Sequence, residues 1–99
     1  MLIYHIVPFE KWESFKGASY ETASLKSEGF IHCSFADQLD AVLKRYYSDA
    51  DTVTILTIDP TKLDSKLVVE PSTGGENYPH IYGPINIGAI ISTETRNIS

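Results

Sequence analysis

Three histidines carry most of the chemical potential of this 99-residue chain: His5, His32 and His80. Each lies in a segment rich in aromatic and aliphatic neighbours: Ile3-Tyr4-His5-Ile6-Val7, Phe30-Ile31-His32-Cys33-Ser34 and Pro79-His80-Ile81-Tyr82. Surface histidines usually sit among charged residues, so this distribution fits imidazoles gathered around a shared cleft. Near neutral pH an imidazole donates, accepts and moves protons, which suits acid–base catalysis or recognition of a ribose hydroxyl. The stretch Glu28–Ser34 is the most informative of the three. Alternation along a strand sets Phe30, His32 and Ser34 on one face and Ile31 and Cys33 on the other. Ser34 then stands at the N-cap of a following helix, with Asp37 three residues on. An imidazole two residues before the positive end of a helix suits an anionic or hydroxyl-rich ligand. The same residues also describe a capped helix after an ordinary strand, with His32 hydrogen-bonded in the core.

Other chemistries fit less well. A metal site built on the three histidines would lack any close pair such as HxH or HxxxH, so no metal is expected. Cys33 and His32 are adjacent and face opposite ways along a strand, so they cannot form a nucleophilic dyad, and a buried structural thiol is expected. Glu70, at a strand end, and Glu76, after Gly74-Gly75, are the candidate carboxylates for activating a hydroxyl or holding a ribose. No phosphate-binding glycine loop of familiar spacing occurs.

The elements that must position these groups follow from periodicity. Residues 2–7 read as a strand with apolar side chains on both faces, hence covered on both. Pro8 suits the first position of a helix and Gly17 its end, with Phe9, Trp12 and Phe15 as a packing stripe. Residues 18–27 have no clean period and read as a surface connection with a short turn. Phe35, Leu39, Val42, Leu43 and Tyr46 recur at helical spacing from 35 to 47, with Asp37 and Asp40 early and Lys44 and Arg45 late, as the helix dipole favours. Thr52–Ile58 reads as a central strand, Leu67–Glu70 as a short one, Glu76–Pro84, with two prolines and a glycine, as an edge strand or irregular extended segment, and Ala89–Thr95 as the last strand. Helices early and strands late make an α+β fold, a small split sheet with antiparallel or mixed pairing and two main helices. The loop from Pro71 to Asn77 is expected to act as a ligand-ordered lid hinged on its two glycines.

Composition narrows the function classes. Ninety-nine residues form one domain, 1–99, with a single core. A formal net charge of -5 and only eight Lys and Arg argue against a general nucleic-acid binder. One cysteine permits no internal disulfide, and no apolar run is long enough to cross a membrane, so the expectation is a cytoplasmic protein without a membrane partner. No feature specifies an oligomeric state.

Ile3–Val7, Ser24–Ser34 and Pro79-His80-Ile81-Tyr82-Gly83-Pro84 together resemble the signatures of an uncharacterised bacterial family, domain of unknown function 952, over nearly the whole chain. That family is in turn similar to the ADP-ribosyltransferase fold, whose members use NAD. Tyr4-His5 lies where such enzymes carry a first-strand Tyr-His, and Phe30–Ser34 is similar to a later strand of the RNA 2'-phosphotransferase branch. The chain departs from that pattern at Ile6, where a Gly is usual, at Phe30, where that branch has a histidine, and in having only Arg45 and Arg96 to meet phosphate. The resemblance implies an ADP-ribosyltransferase-like enzyme that binds NAD or a related nucleotide and performs ADP-ribosyl transfer or NAD hydrolysis, with NAD as substrate and no required cofactor. In that reading His5, His32 and Glu76 are catalytic, while Tyr4, Ser34, His80 and Tyr82 bind the nucleotide. The alternative is a non-catalytic nucleotide-sensing or partner-binding module that uses the same cleft. Both readings expect His5 and His32 to be partly exposed, so that replacing either costs about 1 kcal/mol or less in stability.

Overall fold

A strand that is apolar on both sides has to be covered on both sides, and Thr52–Ile58 sits where that is possible. The computed structural model describes residues 1–98. The chain runs β1 (Ile3–Pro8), α1 (Phe9–Ser14), β2 (Ser19–Tyr20), α2 (Ala23–Ser27), β3 (Ile31–His32), α3 (Leu39–Tyr46), β4 (Thr52–Ile58), β5 (Lys66–Pro71), β6 (Asn77–Tyr82), β7 (Ile85–Asn86) and β8 (Ile90–Asn97), with short 3-10 turns between some of them. Three small sheets result, ordered β1-β4-β8, β2-β7 and β3-β6-β5. Every pairing is antiparallel. The fold is α+β.

The β1-β4-β8 sheet separates two apolar clusters. On one face Ile3 and Val7 of β1 and Leu56 and Ile58 of β4 meet Ile31, Cys33, Ile81 and Ile85 from the other two sheets. On the opposite face Ile6, Val53 and Ile55 receive Leu39 and Leu43 of α3. Each such fully buried aliphatic side chain contributes roughly 1.5–3 kcal/mol relative to exposure. Both faces of β1 and β4 are thus filled, as the two-sided apolar pattern requires. β1 lies at one end of its sheet, yet its free edge is partly used: Tyr4 and Ser34 form a two-bond antiparallel bridge, each amide donating to the other's carbonyl at 2.8 Å. That bridge ties the first sheet to the segment leaving β3.

Several local expectations are corrected. The first helix stops at Ser14, three residues before Gly17, because Phe15 turns to an extended conformation (φ -71, ψ 135) and packs on Trp12 and Tyr20. Residues 18–27 are β2 and α2, not a bare connection. β3 is only two residues long, and Ser34 does not cap the next helix, since its backbone is committed to Tyr4. The turn into α3 is instead a 3-10 turn, Ala36–Gln38, where the Gln38 side chain accepts from the Phe35 amide at 2.9 Å. The same Gln38 donates to the carbonyl of Asn77 at 2.8 Å and to Glu76 Oε2 at 2.9 Å. It pins the start of α3 to the β5–β6 turn. That turn is tight. The Ser72 amide donates to the Glu76 carbonyl, the Gly75 amide donates back to the Ser72 carbonyl, and Gly74 and Gly75 both take positive φ (76 and 79). β5 and β6 then pair along six residues each, so Tyr78–Tyr82 is a central strand of its sheet, not an edge.

Candidate functional site

Between β1, the β2–α2 segment, the chain leaving β3 and the end of α3 lies a cavity of about 760 Å³. That is within the range of pockets that take cofactor- or drug-sized ligands, about 300–1,000 Å³. Tyr4, His5 and Ile6 line it from β1, Cys33 and Ser34 from the strand exit, and Tyr46 and Tyr47 from the end of α3. Tyr20, Ser24, Ser72 and Tyr78 complete much of the remaining wall, with Lys11 and Glu21 as charged members.

His5 is the polar group the cavity is built around. Its Nδ1 donates to the carbonyl of His32 at 2.6 Å, a bond that sets the tautomer because a carbonyl can only accept. Its Nε2 therefore carries the lone pair. That atom is buried and has no hydrogen-bond partner among the described residues. Burial pushes the imidazolium down to about 4, the bond to the His32 carbonyl opposes this, and the His32 ring adds to it. His5 is neutral at physiological pH and presents a fixed acceptor. Leaving a buried acceptor unmatched costs about 1–3 kcal/mol, so a donor supplied by a ligand has much to gain there.

His5 is only 6% exposed, which overturns the expectation that it is partly open to solvent. The cause is its position on β1, where it packs beside Tyr20 with ring centroids 5.9 Å apart. The phenols of Tyr20 and Tyr47 are also raised above the ordinary range, mainly by burial, and remain hydroxyl donors. Cys33 lines the cavity, but burial pushes its thiol far up, so it is protonated and inert as a nucleophile.

The other histidines point elsewhere. His32 is half-exposed, and its Nε2 lies 3.1 Å from Glu28 Oε2. It borders the cavity while its ring meets Phe30 and His80 edge-on, at 4.9 and 5.4 Å. His80 faces His32 across the β3–β6 pair and is 2% exposed beneath the Phe30 ring, which stacks on it at 4.1 Å. His80 Nδ1 lies 2.7 Å from Glu70 Oε1, and the Tyr82 hydroxyl donates to the same oxygen. The Tyr82 hydroxyl, and then His80, hold the Glu70 carboxyl below its usual range, while Glu70 raises the Tyr82 phenol.

The structure therefore brings together Tyr4, His5, Ser34 and the edge of His32, and keeps His80, Tyr82 and Glu76 out of the cavity wall. Glu76 sits at the β5–β6 turn, bonded to Gln38 and to the Tyr78 hydroxyl. Glu70 belongs to the His80–Tyr82 cluster on the outer face of its sheet. The three histidines share no metal-like arrangement; among the described residues no group of three His, Cys, Asp or Glu side chains could hold an ion. Tyr20, Tyr46 and Tyr47 were missed by sequence reasoning. Tyr46-Tyr47 carried a usable signal, because two adjacent aromatics at a helix end cannot both face one core.

A family model described as "Protein of unknown function (DUF952)" matches residues 6–93. The chain belongs to that family. DUF952 membership agrees with the motifs Ser24–Ser34 and Pro79–Pro84, which lie within the match, and carries no activity of its own. The chain is also similar to protein CC0527 from Caulobacter crescentus. Against one crystal structure of that protein the TM-score is 0.84 at 26% identity, covering 96% of this chain and 85% of the other. A crystal structure of a double mutant gives 0.84 at 25% identity with the same coverage. Its solution NMR structure gives 0.79 at 26%, covering 94% and 82%. No curated protein matches the chain. Among the described residues no helix is long and apolar enough to cross a membrane.

Proposed function

We propose that the cavity binds a small molecule bearing a ring and hydroxyl groups, a nucleotide of the NAD type being the first candidate. One observation carries this reading: His5, whose buried Nε2 is an acceptor without a partner among the described residues, lines a cavity large enough for such a ligand. A ribose hydroxyl supplies the missing donor. The Tyr4 and Tyr47 rings in the wall suit a base or a nicotinamide ring, and Ser34 offers a further hydroxyl. The likeness of Tyr4-His5 and Phe30–Ser34 to ADP-ribosyltransferase motifs is what selects NAD among ring-and-hydroxyl ligands, and an ADP-ribosyltransferase-like fold belongs with this proposal.

Transfer or hydrolysis at the nicotinamide–ribose bond needs a carboxylate beside the ribose to orient the nucleophile. Glu21 lines the cavity, whereas Glu70 and Glu76 do not. Glu21 is thus the carboxylate left to serve turnover, while the absence of Glu70 and Glu76 from the wall supports a second reading, binding without turnover, as in a ligand-sensing or partner-binding module. The experiment has two arms. Calorimetric titration with NAD, ADP-ribose and adenosine should give saturable binding to the wild type, weakened roughly tenfold or more in His5→Asn, the worth of one good buried hydrogen bond. No binding by any of the three sinks the nucleotide reading. Release of nicotinamide on incubation with NAD separates enzyme from binding module.

A further inference from the structure

The sheet β1-β4-β8 ends on an open strand. β8 has β4 on one side and, among the described residues, no strand on the other, and the described backbone hydrogen bonds outside the strand ladders include none from Ser92–Arg96. Its pairing with β4 is regular from Asn97 back to Ser92, with the single irregularity beyond that, at Thr57/Ile58. Residues Ile91–Thr95 are all exposed. Long, flat edges of this kind template pairing with another strand, and proteins usually guard them with proline, lysine or a covering segment. Two other edges here are guarded. β1 has Ser34 bonded to Tyr4, and β5 carries Lys66 and ends in Pro71. From Ser92 to Asn97 the β8 edge has no proline, lysine or glycine, and its sequence is Ser-Thr-Glu-Thr-Arg-Asn.

That sequence is complementary to itself. A two-fold axis perpendicular to the sheet makes two copies of β8 antiparallel and sets same-face residues opposite one another. With the axis at Thr95, Glu94 of each copy faces Arg96 of the other, twice, and Thr93 faces Asn97. Registers centred on Thr93 or Asn97 lose both charge pairs. Arg96 already lies on the same face as Glu94, with its Nε 3.0 Å from Glu94 Oε2 and its Nη1 3.5 Å from Asp40 Oδ1 of α3. The guanidinium is thereby held between Glu94 and Asp40, and can exchange its own Glu94 for that of a second copy while keeping Asp40.

We propose that this edge is a self-association surface: two copies pair β8 to β8 in the register centred on Thr95, making one continuous six-stranded sheet. Cross-strand opposite charges stabilise such a pairing and like charges oppose it. The proposal is independent of the cavity and of any ligand.

Sedimentation equilibrium across micromolar to millimolar protein tests it with charge-reversal variants. The wild type should show a reversible dimer, weakened by added salt. Glu94→Arg and Arg96→Glu should each weaken it roughly tenfold or more, since both pairs become repulsive. An equimolar mixture of the two variants should recover a heterodimer, because the two arginines of one chain then face the two glutamates of the other. Circular dichroism checks that both variants are folded; Glu94→Arg leaves the Asp40 pair in place, so it carries the test alone if the other does not fold. A wild type that stays monomeric to millimolar concentration overturns the proposal. So does a dimer that neither reversal weakens, or a mixture of variants that remains monomeric.

Discussion

His5 acts on the fold and on the cavity through different ring atoms. Its Nδ1–H satisfies the His32 carbonyl and so helps hold β1 against the segment leaving β3; its Nε2 faces no protein donor. Replacement can separate the two. His5→Ala should cost about 2–4 kcal/mol, from lost packing and an orphaned carbonyl. His5→Asn retains a donor near the Nδ1 position and should cost less, while still losing the distal acceptor. The pH dependence has a definite sign. The folded imidazole takes a proton only near pH 4, whereas the unfolded one does so near 6.5, so between those values the unfolded chain binds more protons. The His5 contribution to stability should therefore be level above about pH 6.5 and fall as pH drops toward 4, by at most about 1.4 kcal/mol per pH unit. Urea denaturation at a series of pH values should show that slope in the wild type and a shallower one in His5→Asn. Identical slopes would mean that His5 is not held neutral. That a histidine amid apolar residues needs a partner was legible in Ile3–Val7. Which ring atom finds one was not, because the partner is a backbone carbonyl 27 residues away.

At the scale of elements, Gln38 does the joining that periodicity cannot reveal. The helical spacing from Phe35 to Tyr46 is real, and Leu39 and Leu43 are buried as it requires. Yet the first turn is 3-10, and its capping comes from a glutamine three residues past Phe35 and not from Ser34. A Gln at that position is a known capping signal, so the feature was readable once Ser34 was set aside. Its two bonds to Glu76 and Asn77 were not readable, since they cross 38 and 39 residues. Gln38→Ala should lose about 1–3 kcal/mol by leaving buried groups unmatched. Hydrogen exchange should rise together at Phe35–Leu39 and in the β5–β6 turn; a rise confined to one of the two would show that the elements are not coupled through this side chain. Glu76, free of Gln38, should become more mobile, and its hold on the hydroxyl of Tyr78 in the cavity wall should loosen.

For the molecule as a whole, Cys33 is a reporter of cooperativity. It is 4% exposed in the cluster that joins all three sheets, and burial keeps its thiol protonated. Native protein should resist thiol reagents, and labelling should proceed through opening of the core. The free energy of that opening, measured from labelling rates against denaturant, should match the global unfolding value if the sheets open as one unit. A much smaller value would mean that the β3 segment opens alone. Should the cavity take a nucleotide, saturating ligand should slow labelling in proportion to the added stability.

Side-chain pattern was enough to settle the α+β class, the two-sided strands 2–7 and 52–58, the dipole-matched helix and the family membership shared by three histidine motifs. These properties are local: side-chain period, turn residues and end charges act within a few positions, and a single chain displays them. Which histidine enters the cavity came from the fold alone. His5 and His32 meet because Tyr4 and Ser34 bridge two sheets, and His80, one strand farther from that bridge, is covered by the Phe30 ring and held by Glu70. The separation of Glu76 from His5 has the same origin, a hydrogen bond to Gln38 that exists only once α3 has docked. Contacts across tens of residues depend on register and packing, and a one-residue change of register would have sent each of these side chains to the opposite face.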